Sequence, residues 1–350
     1  MSSSDVVILF GGSSSERLVS VASAQNVSRL LPDAACWFLS PAGAVHPVSA
    51  DELAAHQRPF EAEFEPRQAA RFASIDDALA TPESKQLVFF LALHGGEGEN
   101  GALQARFERA GVAFTGSGSA ASARAFDKAV TKALVGAKGA RLATARVVEA
   151  TSDVRALEAT LAALFDDAPR WVLKPVSDGS STGLVHLTSK EKVPQAAGTL
   201  AALKLRYLAE AFVAGRELTV GVVDGPDGPV ALPVSEVRTV PGGAFDYAGK
   251  YLGKGTEELT PAPITDTERE AAQALGLLAH EAVGCTGYSR TDMILTPDGP
   301  VFLEINTLPG LTKASFIPQQ LAAAGQDLRA FLVSQVQLGR ARTASVTAPG

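Results

Sequence analysis

The chain has 350 residues, 46% of them apolar and 20% charged, an ordinary globular balance long enough for two or three domains. A net charge of −7 without a run of Lys or Arg argues against nucleic acid and against a polybasic membrane surface. The two cysteines, Cys36 and Cys285, form no close-spaced motif, and no apolar run approaches the roughly 18 residues of a membrane span. A reduced, cytoplasmic protein without structural zinc is the simplest expectation.

In chain order, the apolar residues 6–10 follow no basic stretch and read as a core strand rather than a signal peptide. Gly11-Gly12-Ser13-Ser14-Ser15-Glu16 and a helical pattern through Leu31 complete a βα unit. The apolar run 87–93 ends in His94-Gly95-Gly96-Glu97-Gly98-Glu99-Asn100-Gly101, before a helix at 102–110 and a short strand at 112–115. Residues 1–116 therefore predict an open α/β domain with its active loops at strand C-termini. Helices around 119–138 lead into a small central domain, 117–208. It holds a strand at 170–175, a Gly/Ser loop at 176–183, a strand at 184–187 and a helix near 190–203. Strands at 207–213, 217–223 and 230–237, a helix at 266–282 and a final hairpin make the third domain, 209–340, an antiparallel sheet. The small, polar residues 341–350 are expected to fray as a flexible tail.

The final hairpin, 288–310, is the most informative segment. Two apolar runs flank Pro297-Asp298-Gly299. Folded about Asp298, the segment sets Asp292 opposite Glu304 and Arg290 opposite Asn306. Residues two apart on a strand share a face, so these four can converge on one patch. Two carboxylates and an amide are the hard oxygen ligands Mg²⁺ takes together with phosphate. A polar face simply meeting water is the plain alternative.

Other signals are individually weaker. Gly179-Ser180-Ser181-Thr182-Gly183 could wrap phosphate with free N–H groups or be a hairpin turn; no G-x-x-x-x-G-K-[ST] is present. Gly116-Ser117-Gly118 imitates a dinucleotide fingerprint without the acidic residue about 20 positions on, and reads as a helix start. Lys174, inside an apolar strand, needs an anionic partner, either a phosphate or a structural carboxylate. Lys128 is a second isolated cation. Glu210 and Glu217 could accept from ribose and adenine or stay solvated. His94 ends a strand before a Gly-rich loop, where function often sits, though a capping role is equally open. Lys250-Tyr251 lies in a Gly-bracketed segment.

Their order along the chain resembles the ATP-grasp ligases, and more closely the D-alanine–D-alanine ligase family. The resemblance rests on LFGGSSSERLVSV (9–21), LALHGGEGENGALQ (91–104), GVAFTGSG (111–118), FDKAVTK (126–132) and VLKPVSDGSSTG (172–183). It continues in GRELTVGV (215–222), FDYAGKYL (245–252), GCTGYSRTDM (284–293) and EINTLPGLTKASFIP (304–318). It implies an ATP-grasp fold of α/β N-domain, central lid and C-terminal antiparallel-sheet domain. It also implies phosphorylation of one D-alanine by ATP and attack by the amine of a second, for peptidoglycan precursors.

By the same resemblance, Asp292, Glu304 and Asn306 hold two Mg²⁺ ions, Mn²⁺ being an alternative. Lys128, Lys174, Ser181 and Lys250 meet the phosphates. Glu210, Glu217 and the backbone near Phe212 and Val213 hold the nucleoside. Glu16 takes the first ammonium, in a set with Ser180 and Tyr251. Arg290 and the Gly310 N–H meet the oxyanion, Ser315 takes the second carboxylate, and His94 and Glu99 line the site. A homodimer is expected, with no nucleic-acid or membrane partner. Asn100, Ala211 and Gly249 depart from the residues common in the family, without removing a group that has a named role. A non-catalytic nucleotide binder is expected to lack one of Asp292, Glu304, Lys250 or Arg290, and all four are present. D-serine, D-lactate or another D-amino acid as acceptor is the alternative, and Tyr251 speaks against D-lactate.

Overall fold

The structure is a computed structural model that describes residues 5–177, 183–239 and 256–347. Its first part holds β1 (Val6–Gly11), α1 (Arg17–Leu30), β2 (Ala35–Leu39), β3 (Val45–Val48), α2 (Ala50–Ala55), α3 (Ile75–Leu79), β4 (Val88–Leu91), α4 (Ala102–Ala110) and β5 (Ala113–Phe114). The sheet order is β3-β2-β1-β4-β5, with β1 parallel to both β2 and β4. A strand buried on both faces reads as a continuous apolar run, and here the alternation divides it. Val6, Ile8 and Phe10 enter one apolar cluster, and Val7 and Leu9 the other. The order reverses at β1, so the loops after β1 and β4 open side by side at the crevice where α/β sheets take ligands.

The central part holds α5 (Ser119–Phe126), α6 (Lys128–Ala137), β6 (Ala145–Val148), α7 (Val154–Ala163), β7 (Trp171–Pro175), β8 (Val185–Leu187), α8 (Val193–Leu203) and β9 (Tyr207–Ala211). Its antiparallel sheet runs β6-β9-β7-β8. Trp171 and Leu173 of β7 are buried with Leu157 and Leu161 of α7 and Leu200 of α8. Strand alternation therefore sends Lys174 to the opposite face, away from the helices.

The last part holds β10 (Arg216–Gly225), β11 (Gly228–Ala231), β12 (Ser235–Thr239), β13 (Thr256–Leu259), α9 (Asp266–Val283), β14 (Tyr288–Thr296), β15 (Gly299–Asn306), α10 (Phe316–Ala323) and α11 (Leu328–Thr347). The strand expected at 230–237 is thus two, β11 and β12. The sheet runs β13-β12-β10-β14-β15, with β11 on β10. A capping box between Thr265 and Glu268 starts α9, and Gly284 at φ 74° ends it. Ala272, Leu275, Ala279 and Val283 of α9 bury Leu218, Val220, Met293 and Leu295 beneath them. The alternate residues Glu217, Thr219, Arg290 and Asp292 face the other way.

The α11 backbone is helical through Thr347, and residues near its end reach back to the first sheet. Arg342 donates to the Phe114 carbonyl at 2.8 Å and lies 4.2 Å over the Phe114 ring. Phe331, Leu332 and Val336 join Val6, Ile8 and Phe10 in one core, so the first sheet is completed by residues from the far end of the chain.

On the α9 side of the sheet, Glu236 is 3% exposed and accepts from Arg216 at 2.7 and 2.8 Å and from Arg238 at 2.9 Å. The Arg216 hydrogen bond, opposed by burial and aided by Arg238, holds its carboxyl below the ordinary 4.5. A depressed acid stabilises the fold above its unfolded pKa and loses that contribution as pH falls through the folded value. Glu236→Gln is therefore expected to lower stability at neutral pH and to flatten its acid dependence as pH falls below the ordinary 4.5, read by denaturant melts at each pH.

Candidate active site

The hairpin brings its four polar residues together by a device not anticipated above. The turn itself is two residues, since Thr296 pairs with Gly299 and Met293 with Phe302. Continued unchanged, that register would place Asp292 opposite Leu303 and turn Glu304 to the other face. A β-bulge leaves Leu303 unpaired, and beyond it Asp292 pairs with Glu304 and Arg290 with Asn306. The four side chains then share the face that α9 leaves uncovered.

Asp292 is held from two strands. Arg290 Nε and Nη2 donate to its carboxylate at 2.9 and 2.8 Å, and Thr219 Oγ1 of β10 donates at 2.6 Å. Such charge-assisted, bidentate pairs fix geometry as well as charge. Glu304 lies 3.8 Å from the Lys128 ammonium at the start of α6. The Asn306 amide oxygen accepts from Leu308 N–H at 2.7 Å, which starts the loop that carries Gly310. At Gly310 a Cβ would stand 2.6 Å from Ser315 Oγ, so only glycine lets this loop fold against Ser315. Ser315 Oγ also accepts from Thr312 N–H at 3.1 Å, and the residue stands at the N-cap position of α10.

A second cluster lies beside the first. The buried Glu210 of β9 is ion-paired with both Lys174 of β7 and Lys132 of α6. The β7–β9 register explains the first pair: Glu210 faces Val172 and Lys174 faces Leu208, so Glu210 and Lys174 share a face two residues apart. Burial pushes the Lys132 ammonium below its ordinary 10.5 although Glu210 pulls it up. Burial also lowers Lys174, but Glu210, Glu304 and Glu217 together outweigh it and hold Lys174 above 10.5. Lys174 thus has a structural carboxylate as its partner, and its charge also lies within reach of the Glu304 field. Phe212 follows β9, half exposed, with its N–H donating to Arg170 O at 2.9 Å and the Arg170 guanidinium 3.8 Å over its ring. Val213 is partly buried next to it.

The crevice of the first sheet supplies a third group. Glu16 is 7% exposed at the start of α1. Gly95 has φ 64°, and a Cβ there would stand 2.5 Å from the Glu16 carboxylate, so glycine lets the β4 loop close over it. His94 is buried, with Nδ1 3.9 Å from Glu99, whose carboxylate accepts from Gly95 N–H at 3.0 Å. Ser180, Ser181, Lys250 and Tyr251 lie outside the described residues.

The sequence reading missed several members. Lys132 was legible, one helical turn after Lys128 in FDKAVTK. Thr219 needed the β10–β14 register. Glu258 of β13 reaches the face of Glu217 through Val237, and its carboxyl is raised by burial against a hydrogen bond from Gln319 and the charge of Arg290. Ser23 and Asn26 of α1 reach the Leu311 backbone from the first sheet's side.

The donor set decides which metal fits. Among the described residues, no three of His, Cys, Asp and Glu converge. Two carboxylates and an amide oxygen on one face are too few for an all-protein cage and suit Mg²⁺ that shares its remaining positions with phosphate and water.

Comparison with known proteins identifies the family. Residues 5–117 match the family model described as D-ala D-ala ligase N-terminus, and residues 154–337 match D-ala D-ala ligase C-terminus. A D-alanine--D-alanine ligase of Mycolicibacterium gilvum (strain PYR-GCK) is 33% identical over 368 residues, covering 96% of this chain and 97% of that protein. One from Leptospira interrogans is 36% identical over 261 residues, covering 73% and 74%. Among solved structures, the VanG D-Ala:D-Ser ligase from Enterococcus faecalis superposes with a TM-score of 0.77 at 26% identity, covering 95% of this chain and 98% of that one. The D-alanine-D-alanine ligase from Coxiella burnetii shares the fold, with a TM-score of 0.77 at 22% identity over 97% and 95% of the two chains. Two family models in the right order, relatives along almost the whole length and a shared fold lead to one conclusion: the chain belongs to the D-ala D-ala ligase family.

Proposed function

We propose that the protein joins two D-alanines into D-alanyl-D-alanine at the expense of ATP, for peptidoglycan precursor synthesis. The supporting observation is the face shared by Arg290, Asp292, Glu304 and Asn306, with Lys128 3.8 Å from Glu304. Phosphoryl transfer asks a protein for little covalent chemistry and much positioning and charge neutralisation, which is what this face offers.

In this reading Glu16 holds the ammonium of the first D-alanine, in a set with Ser180 and Tyr251, while His94 and Glu99 line its pocket. Glu210, Glu217 and the backbone at Phe212 and Val213 hold the nucleoside. Lys128, Lys174, Ser181 and Lys250 meet the phosphates. Asp292, Glu304 and Asn306 would hold two Mg²⁺ ions, or Mn²⁺, which neutralise phosphate charge when bound. The first carboxylate takes the γ-phosphoryl group and becomes an acyl phosphate. Ser315 takes the second carboxylate, so that the second amine, once deprotonated, attacks the acyl carbon. Arg290 and the Gly310 N–H meet the oxyanion that forms there, and phosphate leaves with the electron pair of the broken C–O bond. No helix among the described residues is long and apolar enough to cross a membrane. A cytoplasmic homodimer acting on small molecules is part of the same proposal.

Product identity tests it. The purified chain with ATP, Mg²⁺ and D-alanine is expected to yield the D-alanyl-D-alanine mass with stoichiometric ADP and phosphate. D-serine, D-lactate and L-alanine are offered in parallel arms. A dominant mixed product would move the acceptor assignment, and no ATP-dependent product in any arm would overturn the ligase reading.

A further inference from the structure

Ser23 and Asn26 lie one helical turn apart on α1, in the first part of the chain, and both reach Leu311, the residue after Gly310. Ser23 Oγ accepts from the Leu311 N–H at 3.4 Å, and Asn26 Nδ2 donates to the Leu311 carbonyl at 2.6 Å. Arg29 Nη2 donates to Asn26 Oδ1 at 2.9 Å, which leaves the Asn26 amide in one orientation with its NH₂ toward Leu311. Ser23 also lies 2.9 Å from His94 Nε2, and both side chains are buried, Ser23 at 0% and His94 at 5% exposure. One hydroxyl thus touches both the loop that carries the proposed oxyanion donor and the histidine of the first-substrate crevice.

The protons along this line can be placed. A hydroxyl has one hydrogen to donate and two lone pairs. The Leu311 N–H occupies one lone pair of Ser23. The other ring nitrogen, His94 Nδ1, looks toward Glu99 at 3.9 Å. A lone pair on Nδ1 would be repelled by that carboxylate, whereas an N–H is attracted to it. The proton therefore belongs on Nδ1, and Nε2 accepts from Ser23. The resulting chain runs Leu311 N–H to Ser23 O–H to His94 Nε2, with His94 Nδ1–H toward Glu99. Every donor points the same way along it, an arrangement in which each bond polarises the next.

We infer that Ser23 is a positioning residue that fixes His94 as the neutral Nδ1–H tautomer and ties it to the backbone beside Gly310. The first-substrate crevice and the oxyanion loop are then set relative to each other by one side chain, with Asn26 as the second tether. His94 consequently presents a hydrogen-bond donor on its Glu99 side. The catalytic consequence rests on the proposed ligase reading; the tautomer does not.

Long-range ¹H–¹⁵N correlation of the histidine rings in the full-length ¹⁵N-labelled protein reads this directly. It is recorded at about pH 8, above the ordinary imidazole range, with His94 assigned by its loss in His94→Gln. The expected pattern is a protonated Nδ1 and an unprotonated Nε2. An Nε2–H tautomer, or a signal averaged between the two, would overturn the inference. In Ser23→Ala the fixed tautomer is expected to disappear and kcat to fall roughly tenfold, with KM for ATP unchanged. A folded Ser23→Ala protein that keeps the wild-type His94 pattern would equally overturn it. Reading the His94 tautomer needs no turnover. A chain with the expected tautomer that made no dipeptide would refute the ligase reading alone, and one that made dipeptide with the wrong tautomer would refute this inference alone.

Discussion

Glu304→Gln is expected to abolish turnover, by on the order of 10³-fold or more, while leaving the fold intact. Two roles can be assigned to this carboxylate, and their magnitudes separate them. As an ion-pair partner of Lys128, with Glu304 35% exposed and the charges 3.8 Å apart, it contributes at most about 1 kcal/mol of stability. As one of two carboxylates that would hold Mg²⁺ against phosphate, it would keep the cation where phosphoryl transfer needs its charge, and its loss would cost several kcal/mol of barrier. Gln keeps the size and one oxygen donor, so β15 and its bulge have no reason to move. The measurement is phosphate release and dipeptide formation at saturating ATP, D-alanine and Mg²⁺, beside a thermal melt. Turnover close to wild type with an unchanged melt would leave Glu304 as a surface partner of Lys128 and remove the metal assignment.

Glu210→Ala is expected to give the largest stability loss in the molecule's central part. Glu210 is 5% exposed at its side chain and carries the negative charge for two lysines that are 6% and 13% exposed. Deleting one member of a buried ionic group leaves uncompensated charge and costs about 3–5 kcal/mol. Here it leaves two ammonium groups facing each other, which repel. Glu210→Gln keeps hydrogen-bonding oxygen and volume, so a smaller loss is expected. The pH dependence has a definite sign. Without Glu210, burial depresses both lysines, and a depressed cation destabilises the fold most when charged. The deficit should therefore shrink as pH rises toward the ordinary lysine value of 10.5. ATP should also recover part of it, because Lys174 is proposed to meet its phosphates. Denaturant melts across pH, with and without nucleotide, read both effects. A loss below about 1 kcal/mol would mean that the lysines discharge or rotate to solvent at little cost.

Much of this molecule follows from local pattern. The run Val6 to Phe10 specifies a strand buried on both faces, and Thr265 with Glu268 specifies a helix start, because burial alternation and capping are properties of a few neighbouring residues. Arg290 with Asp292, and Glu304 with Asn306, are likewise two-residue spacings readable on a strand. Motif order along the chain was also enough to point to the family. Short β2 and β3, the Ala-rich α7 and the last turns of α11 carry no comparable local signal. Their stability comes from partners distant in sequence, as Arg342 on Phe114 and Phe331 beside Phe10 illustrate. Three-dimensional packing alone decided the rest. The bulge at Leu303 turns Glu304 to the face of Asp292, Glu210 becomes the shared partner of Lys132 and Lys174, and Ser23 touches both His94 and Leu311. A side chain's neighbours across strands and between sheets are set by register and packing of distant segments, 288 positions apart for Ser23 and Leu311, which no local periodicity encodes.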